Sequence, residues 1–183
     1  MRIFFDTEFT GLRKNTTLVS IGMVDELGNT FYAELTDYNK KQCDEWIQEN
    51  VIQHLHLQEK GWDDNGRDVT VKGNKKYVRE QLTQWLAAYD YVELVADVCA
   101  HDMVLFIDLF ENAFSLPRHV CPACYDICQD IALWYGINMY EAFDKSREEM
   151  IAENGYTISG DKHNALYDAI VIKTIYEITH PKP

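Results

Sequence analysis

Asp6 and Glu8 stand two residues apart within Arg-Ile-Phe-Phe-Asp-Thr-Glu-Phe, residues 2–9, a run whose aromatic and β-branched content predicts a strand. Side chains alternate along a strand, so both carboxylates leave the same face. Two like charges that close oppose each other's ionisation unless a cation lies between them, and a set of oxygen donors suits Mg²⁺ or Mn²⁺. The same pair also arises where one acid merely faces solvent at a strand end. His163 and Asp168 lie near the other terminus in Gly-Asp-Lys-His-Asn-Ala-Leu-Tyr-Asp-Ala, residues 160–169. Five residues of α-helix advance about 500°, which leaves the two side chains roughly 140° apart. They converge only if His163 sits in a loop or first turn while Asp168 lies inside the helix; otherwise they are an exposed histidine and a surface aspartate. Asp102 follows a buried apolar run at the start of a helix, where α/β proteins open crevices, although a helix-start aspartate also serves as a cap. Asp97, expected within the strand, and Asp108, two turns down the helix, are the competing acids.

The elements that must carry these groups follow from periodicity. Residues 17–24 and 30–35 are two further strand-like runs separated by Asp25-Glu-Leu-Gly-Asn29, so with residues 2–9 they predict an antiparallel three-stranded start. Residues 43–57, with Trp46, Ile47, Val51, Ile52 and Leu55 at helical spacing, predict a helix that covers the sheet. The polar stretch 58–76, with a short strand-like run at 68–71, predicts a surface excursion. Helices are predicted over 77–89, 102–114, 141–154 and 164–178, the third stopped by Gly155 and the last by His180-Pro181. A buried strand is predicted over 91–99 and a short one over 123–127. Leu82 and Trp85, and Leu133-Trp134-Tyr135 on a further helix, read as core. Antiparallel strands followed by strands alternating with helices predict an α/β fold: a mixed central sheet, three antiparallel strands first and then parallel strands, with helices on both faces.

Composition sets the bounds. The 183 residues show no shift that would mark a second domain, so one domain over 1–183 is expected, and 46% apolar content excludes a disordered chain. No apolar run approaches the roughly 20 residues of a membrane span. The N-terminus meets Asp6 before any apolar stretch forms and does not read as a secretory signal, so a cytoplasmic location is expected. Five cysteines, an odd number, fit free thiols. Cys121-x-x-Cys124, with His119 and Cys128, could hold zinc, but no second ligand pair follows and a buried strand there would use the thiols as small hydrophobes. The net charge of −13 argues against a broad grip on long nucleic acid. A polyanion must be held locally, where divalent cations reverse the sign of an acidic pocket.

Taken in order, the motifs resemble a known family. Asp6-Thr-Glu-Phe-Thr-Gly-Leu12 resembles the first motif of the DEDDh (DnaQ-like) 3′→5′ exonucleases, which share a ribonuclease-H-like fold, and His163 to Asp168 resembles their third. Ala100-His-Asp-Met-Val-Leu-Phe-Ile-Asp-Leu-Phe110 is similar to the second motif of the small bacterial and phage branch related to the exoribonuclease RNase AS, and His163-Asn-Ala-Leu-Tyr-Asp-Ala169 is also typical of it. The resemblance spans almost the whole chain. It implies hydrolysis of single-stranded RNA from the 3′ end to nucleoside 5′-monophosphates, with two Mg²⁺ or Mn²⁺ ions held by Asp6, Glu8, Asp102 and Asp168 and with His163 as general base. It also implies a homodimer, which some of the apolar helix residues would cover. Phe9, unless it is a core aromatic, is placed to stack on the terminal base, and the backbone N–H groups near Thr10 and Gly11 to meet the terminal sugar. Departures from the branch are Asp97, often aromatic there, His101, where tyrosine is common, and the loop after Gly11. The same chemistry on single-stranded DNA, a catalytically silent binding module and a phosphohydrolase of small nucleotides stay open as alternatives.

Overall fold

The sheet grows from its first hairpin. β1 (Arg2–Phe9) pairs antiparallel with β2 (Leu18–Asp25), and β2 with β3 (Thr30–Leu35). The Asp25 carboxylate closes the second turn by accepting the N–H groups of Leu27 and Asn29 and the Asn29 amide. The computed structural model describes residues 1–55, 57, 61–62 and 67–181. There follow α1 (Glu45–Asn50), β4 (Gly61–Trp62), β5 (Val69–Gly73), α2 (Lys75–Leu86), β6 (Val92–Ala96), α3 (Ala100–Leu109) and β7 (Val120–Asp126). Four helices complete the chain: α4 (Cys128–Tyr135), α5 (Met139–Asp144), α6 (Arg147–Glu153) and α7 (Ala165–Thr179). The sheet order is β4-β5-β3-β2-β1-β6-β7, with β1/β6, β6/β7 and β3/β5 parallel. This is the mixed α/β architecture expected. Among the described residues no helix is long and apolar enough to cross a membrane.

Alternation along β1 divides the core in two. Ile3 and Phe5 join Leu82, Trp85, Phe106 and Leu109 of α2 and α3 on one face. Phe4 joins Val24, Val95 and the apolar sides of α4 to α7 on the other. Both faces of the central strands are therefore covered, and their sequences read as nearly continuous apolar runs. A third cluster, Val19 with Ile47 and Val51, seats α1 beside β2. At Gly22 an added Cβ would lie 2.2 Å from the Ala165 carbonyl carbon and the Leu166 nitrogen. The first turn of α7 thus rests directly on β2 backbone, opposite the β1 residue Asp6, with which Gly22 is in register.

Several sequence expectations are corrected. The strand-like run near 68–71 is not an excursion: β5 pairs with β3, and Val69 and Val71 are fully buried, because two alternating valines suffice once a sheet edge receives them. Residues 58–60 and 63–66 of that prediction lie outside the described residues. Among the described residues of the helix expected over 43–57, only α1 and a 3₁₀ turn at Ile52–His54 form, while residue 56 lies outside the described residues. The helix expected over 141–154 is two, since Lys145 is extended and Ser146 starts α6 by accepting the Glu149 N–H. β7 is an edge strand in which only Val120 is buried, rather than a buried strand. Leu82 and Trp85 are core, but Leu133 is 82% and Trp134 46% exposed.

Candidate active site

Asp6 and Glu8 project from β1 on the side of Phe4, toward α7, while Thr7 projects from the opposite side. That alternation recruits Asp102. Its Oδ1 accepts the Thr7 N–H at 3.1 Å and the Thr7 hydroxyl at 2.6 Å, which holds the first turn of α3 against the end of β1. The turn before α3 is itself strained: Val98 has φ 52°, costly for a β-branched residue. Asp126 compensates by accepting the N–H groups of Val98, Cys99 and Cys128, so one carboxylate ties the starts of α3 and α4 to β7. Thr7 and Asp126 were not singled out by the sequence. Nothing in their local pattern marks a partner 95 or 28 residues away.

The condition for His163 and Asp168 to converge is met by the backbone. His163 lies two residues before α7 in the left-handed region, φ 66°, and its N–H donates to Asp168 Oδ2 at 2.9 Å. Asn164 then caps the helix through Leu166 and Tyr167. The His163 ring comes 3.9 Å from Glu8 Oε1 and meets the Trp46 ring edge-on at 5.2 Å. Trp46 is 53% exposed, so its place is the rim of the cleft and not the sheet cover expected from its helical spacing. Ligand atoms of Glu8, His163 and Asp168 all lie within 4.8 Å of one another.

These groups open into a cleft of about 1010 Å³ that also reaches Asp6, Phe9, Gly11, Asp97 and Asp102. Phe9 lines it and at the same time packs on the core and stacks on His101, centroids 5.5 Å apart. Thr10 is fully buried and its N–H is taken by Thr17 O, which removes that donor from the sugar-binding role expected of it. Asp97 lies just beyond β6 rather than within it, and its carboxylate forms a two-pronged ion pair with Arg147, which also lines the cleft. Asp108 pairs with Lys75 and is not in the cleft. Cys121 and Cys124 lie on β7, whereas Cys128 meets Asp97 and Asp126, two carboxylates already engaged by Arg147 and backbone N–H groups.

Electrostatics distinguish the four acids. Burial, then the charges of Asp102, Asp168 and Glu8, push the Asp6 pKa well above the usual carboxylate range. Glu8 is raised to about 8 by burial and by Asp168 and Asp102. Asp168 is raised to about 7 and Asp102 to about 6, chiefly by burial, with the His163 and Thr7 hydrogen bonds opposing. His163 is lowered by burial, then by its proximity to Lys162 and His54. Four carboxylates forced together with few donors form an arrangement that cations would relieve, and the oxygen-rich donor set fits hard divalent ions.

The mixed sheet with helices on both faces is a fold shared with several solved nucleases. The nuclease domain of 3′hExo, a DEDDh family member bound to rAMP, matches with a TM-score of 0.64 over 98% of this chain and 92% of that one, at 12% identity. S. pombe Pop2p in its Mg²⁺- and Mn²⁺-bound form matches with a TM-score of 0.62 over 96% and 81%, at 15% identity. The chain belongs to the 3′-5′ exoribonuclease Rv2179c-like domain family, whose model matches residues 1–179. The 3′-5′ exoribonuclease Rv2179c of Mycobacterium tuberculosis (strain ATCC 25618 / H37Rv) is 29% identical over 122 residues, 66% of this chain and 67% of that protein.

Proposed function

We propose that this chain, acting as one domain, hydrolyses single-stranded RNA from its 3′ end to nucleoside 5′-monophosphates, with Asp6, Glu8, Asp102 and Asp168 as ligands of two Mg²⁺ or Mn²⁺ ions. The observation that carries the reading is the crowding of these four acids, each with a raised pKa, around one cleft beside a histidine with a lowered one. Asp6, Glu8, Asp102 and Asp168 would hold the pair of ions through their carboxylate oxygens. Such a pair, when bound, neutralises charge at the scissile phosphate and makes water a better nucleophile.

The remaining work falls to the chain's own side chains. With its pKa lowered, His163 is neutral at pH 7 and free to accept the proton of the attacking water. Its left-handed backbone and the edge of Trp46 hold the ring beside Glu8. Phe9 and Trp46 offer ring surface to unstacked bases, and Gly11, which lines the cleft, lets a sugar approach the backbone. RNA is favoured over DNA by the family and by the rAMP bound to 3′hExo.

End-labelled all-ribo and all-deoxy oligomers, followed in Mn²⁺ with and without EDTA, test the reading. Expected is stepwise release of mononucleotides from RNA, abolished by EDTA. Equal rates on DNA would sink the RNA preference, and release in EDTA would sink the metal requirement. Products from neither polymer would leave the silent-module alternative. We further propose a cytoplasmic homodimer that buries the exposed Leu133 and Tyr140 of α4 and α5. Sedimentation of Leu133→Glu should then show a monomer where the parent is a dimer.

A further inference from the structure

We infer that the part of the substrate strand upstream of its 3′ nucleotide leaves the cleft over a ledge of uncompensated cations made by Arg13, Lys14, Lys40 and Lys41. The inference rests on the proposed seating of an RNA 3′ end in the cleft. A chain of net charge −13 repels a polyanion at long range, so a strand longer than a dinucleotide needs a local path of opposite sign.

The two walls of the cleft differ in this respect. On the wall made by α5, α6 and the approach to α7, each cation is neutralised: Lys145 by Glu153, Arg147 by Asp97, Lys162 by Glu148. On the part of the cleft lined by Gly11, Leu12 and Arg13, the loop after Gly11 is fastened to the 3₁₀ turn Lys40–Gln42. The Thr10 hydroxyl donates to Gln42 Oε1 at 2.7 Å, and Gln42 Nε2 donates to Asn15 O at 2.9 Å. Arg13 Nη2 donates to Gln42 O at 3.1 Å and Thr10 O at 3.4 Å. All these acceptors are neutral, so they shape the ledge without cancelling its charge.

Among the described residues, none of Arg13, Lys14, Lys40 and Lys41 enters an ion pair. All four are exposed, and Arg13 also lines the cleft. Asp44, the acid that follows them, caps α1 through the Ile47 N–H and keeps its charge at the cleft, one acid against the four cations. A dinucleotide has a single internal phosphodiester, which the acids hold, and cannot reach the ledge; a longer strand can. The ledge therefore serves as the determinant of substrate length, drawing chains in preference to dinucleotides.

The test compares K14Q/K40Q/K41Q with K76Q/R118Q/K173Q, which removes the same charge elsewhere. Binding of a labelled twelve-nucleotide RNA is read by anisotropy in Ca²⁺ between 50 and 200 mM salt. Because each phosphate contact to a single strand contributes about 0.7 to the log–log salt slope, the ledge variant should lose about 2 from that slope and bind roughly tenfold more weakly at low salt. The control variant should stay within about twofold of the parent. In Mn²⁺, the ratio of kcat/KM for the twelve-mer to that for a dinucleotide should fall about tenfold in the ledge variant. An unchanged slope, an equal loss in the control, or a parallel fall for both substrates would overturn the inference. A parent that binds with this ledge-dependent slope yet releases no mononucleotide would overturn the proposed hydrolysis while the ledge stands.

Discussion

Two sets of acids on the first three strands, one buried and one half-buried, meet opposite fates. Asp25 and Glu34, both fully buried, are surrounded by donors: Asp25 by two backbone N–H groups, the Asn29 amide and the Tyr89 hydroxyl, Glu34 by the Tyr32 hydroxyl, the Leu57 N–H and the Lys72 ammonium. Asp6 and Glu8, one strand away, meet other carboxylates instead, and among the described residues no hydrogen-bond donor reaches Asp6. A buried carboxylate with donors is a structural brace; a group of them without donors waits for a cation.

Asparagine at each place should separate the two roles. Asp6→Asn should lower turnover about a thousandfold or more, since a ligand of the proposed ions is lost, and should leave the melting temperature of the metal-free protein equal or higher. Asp25→Asn should do the reverse: an amide would set its N–H against the Asn29 and Tyr89 donors, costing about 2 kcal/mol, or roughly 4–8 °C, with activity per folded molecule retained. Parallel thermal melts and initial rates check both, and a stable, active Asp6→Asn would erase the distinction. His163→Ala should keep Mn²⁺ binding by calorimetry yet lose about 10²–10⁴ in kcat, the usual worth of a positioned base.

Position matters to the comparison as well as charge. Gly22→Ala must push the start of α7 off β2 and draw Asp168 and His163 away from Asp6 and Glu8, and a misplacement of that kind costs about a hundredfold in rate. Met23→Ala, on the opposite face of β2, should destabilise without that loss per folded molecule. If the two variants lose rate alike, the close approach at Gly22 has no special part in the site.

The smallest effect is a pH trend. The folded pKa values of Asp102, Asp168 and Glu8 lie above those of an unfolded chain, at about 6, 7 and 8. Between the ordinary carboxylate range and these values the unfolded chain ionises first, so stability present at low pH is lost as pH rises toward 8. The metal-free protein should melt progressively lower across that window. Mn²⁺ at about a hundred times its Kd should add about 2.7 kcal/mol, or roughly 5–10 °C, at pH 8. A flat profile without metal would mean that the acids are not crowded in solution.

Much of this was legible locally. The three-stranded start, α2, α7 and the shared face of Asp6 and Glu8 follow from periods of two and 3.6 residues, which a chain carries in its neighbours at short range. The order of the three motifs singled out the acids and the histidine that the structure brings to one cleft. Short-range patterns failed where a fragment's fate hung on what received it: Val69 and Val71 became sheet because β3 offered an edge, and Leu133 and Trp134 stayed exposed because no described element covers them. Convergence was likewise decided only in three dimensions. Thr7 grips Asp102 across 95 residues, Gly22 admits α7 opposite Asp6, and a left-handed His163 turns a helix-spaced pair toward one point. Local pattern sets which residue types are available and which faces of their strands and helices they occupy. Which carboxylates are denied donors depends instead on packing between segments far apart in the chain.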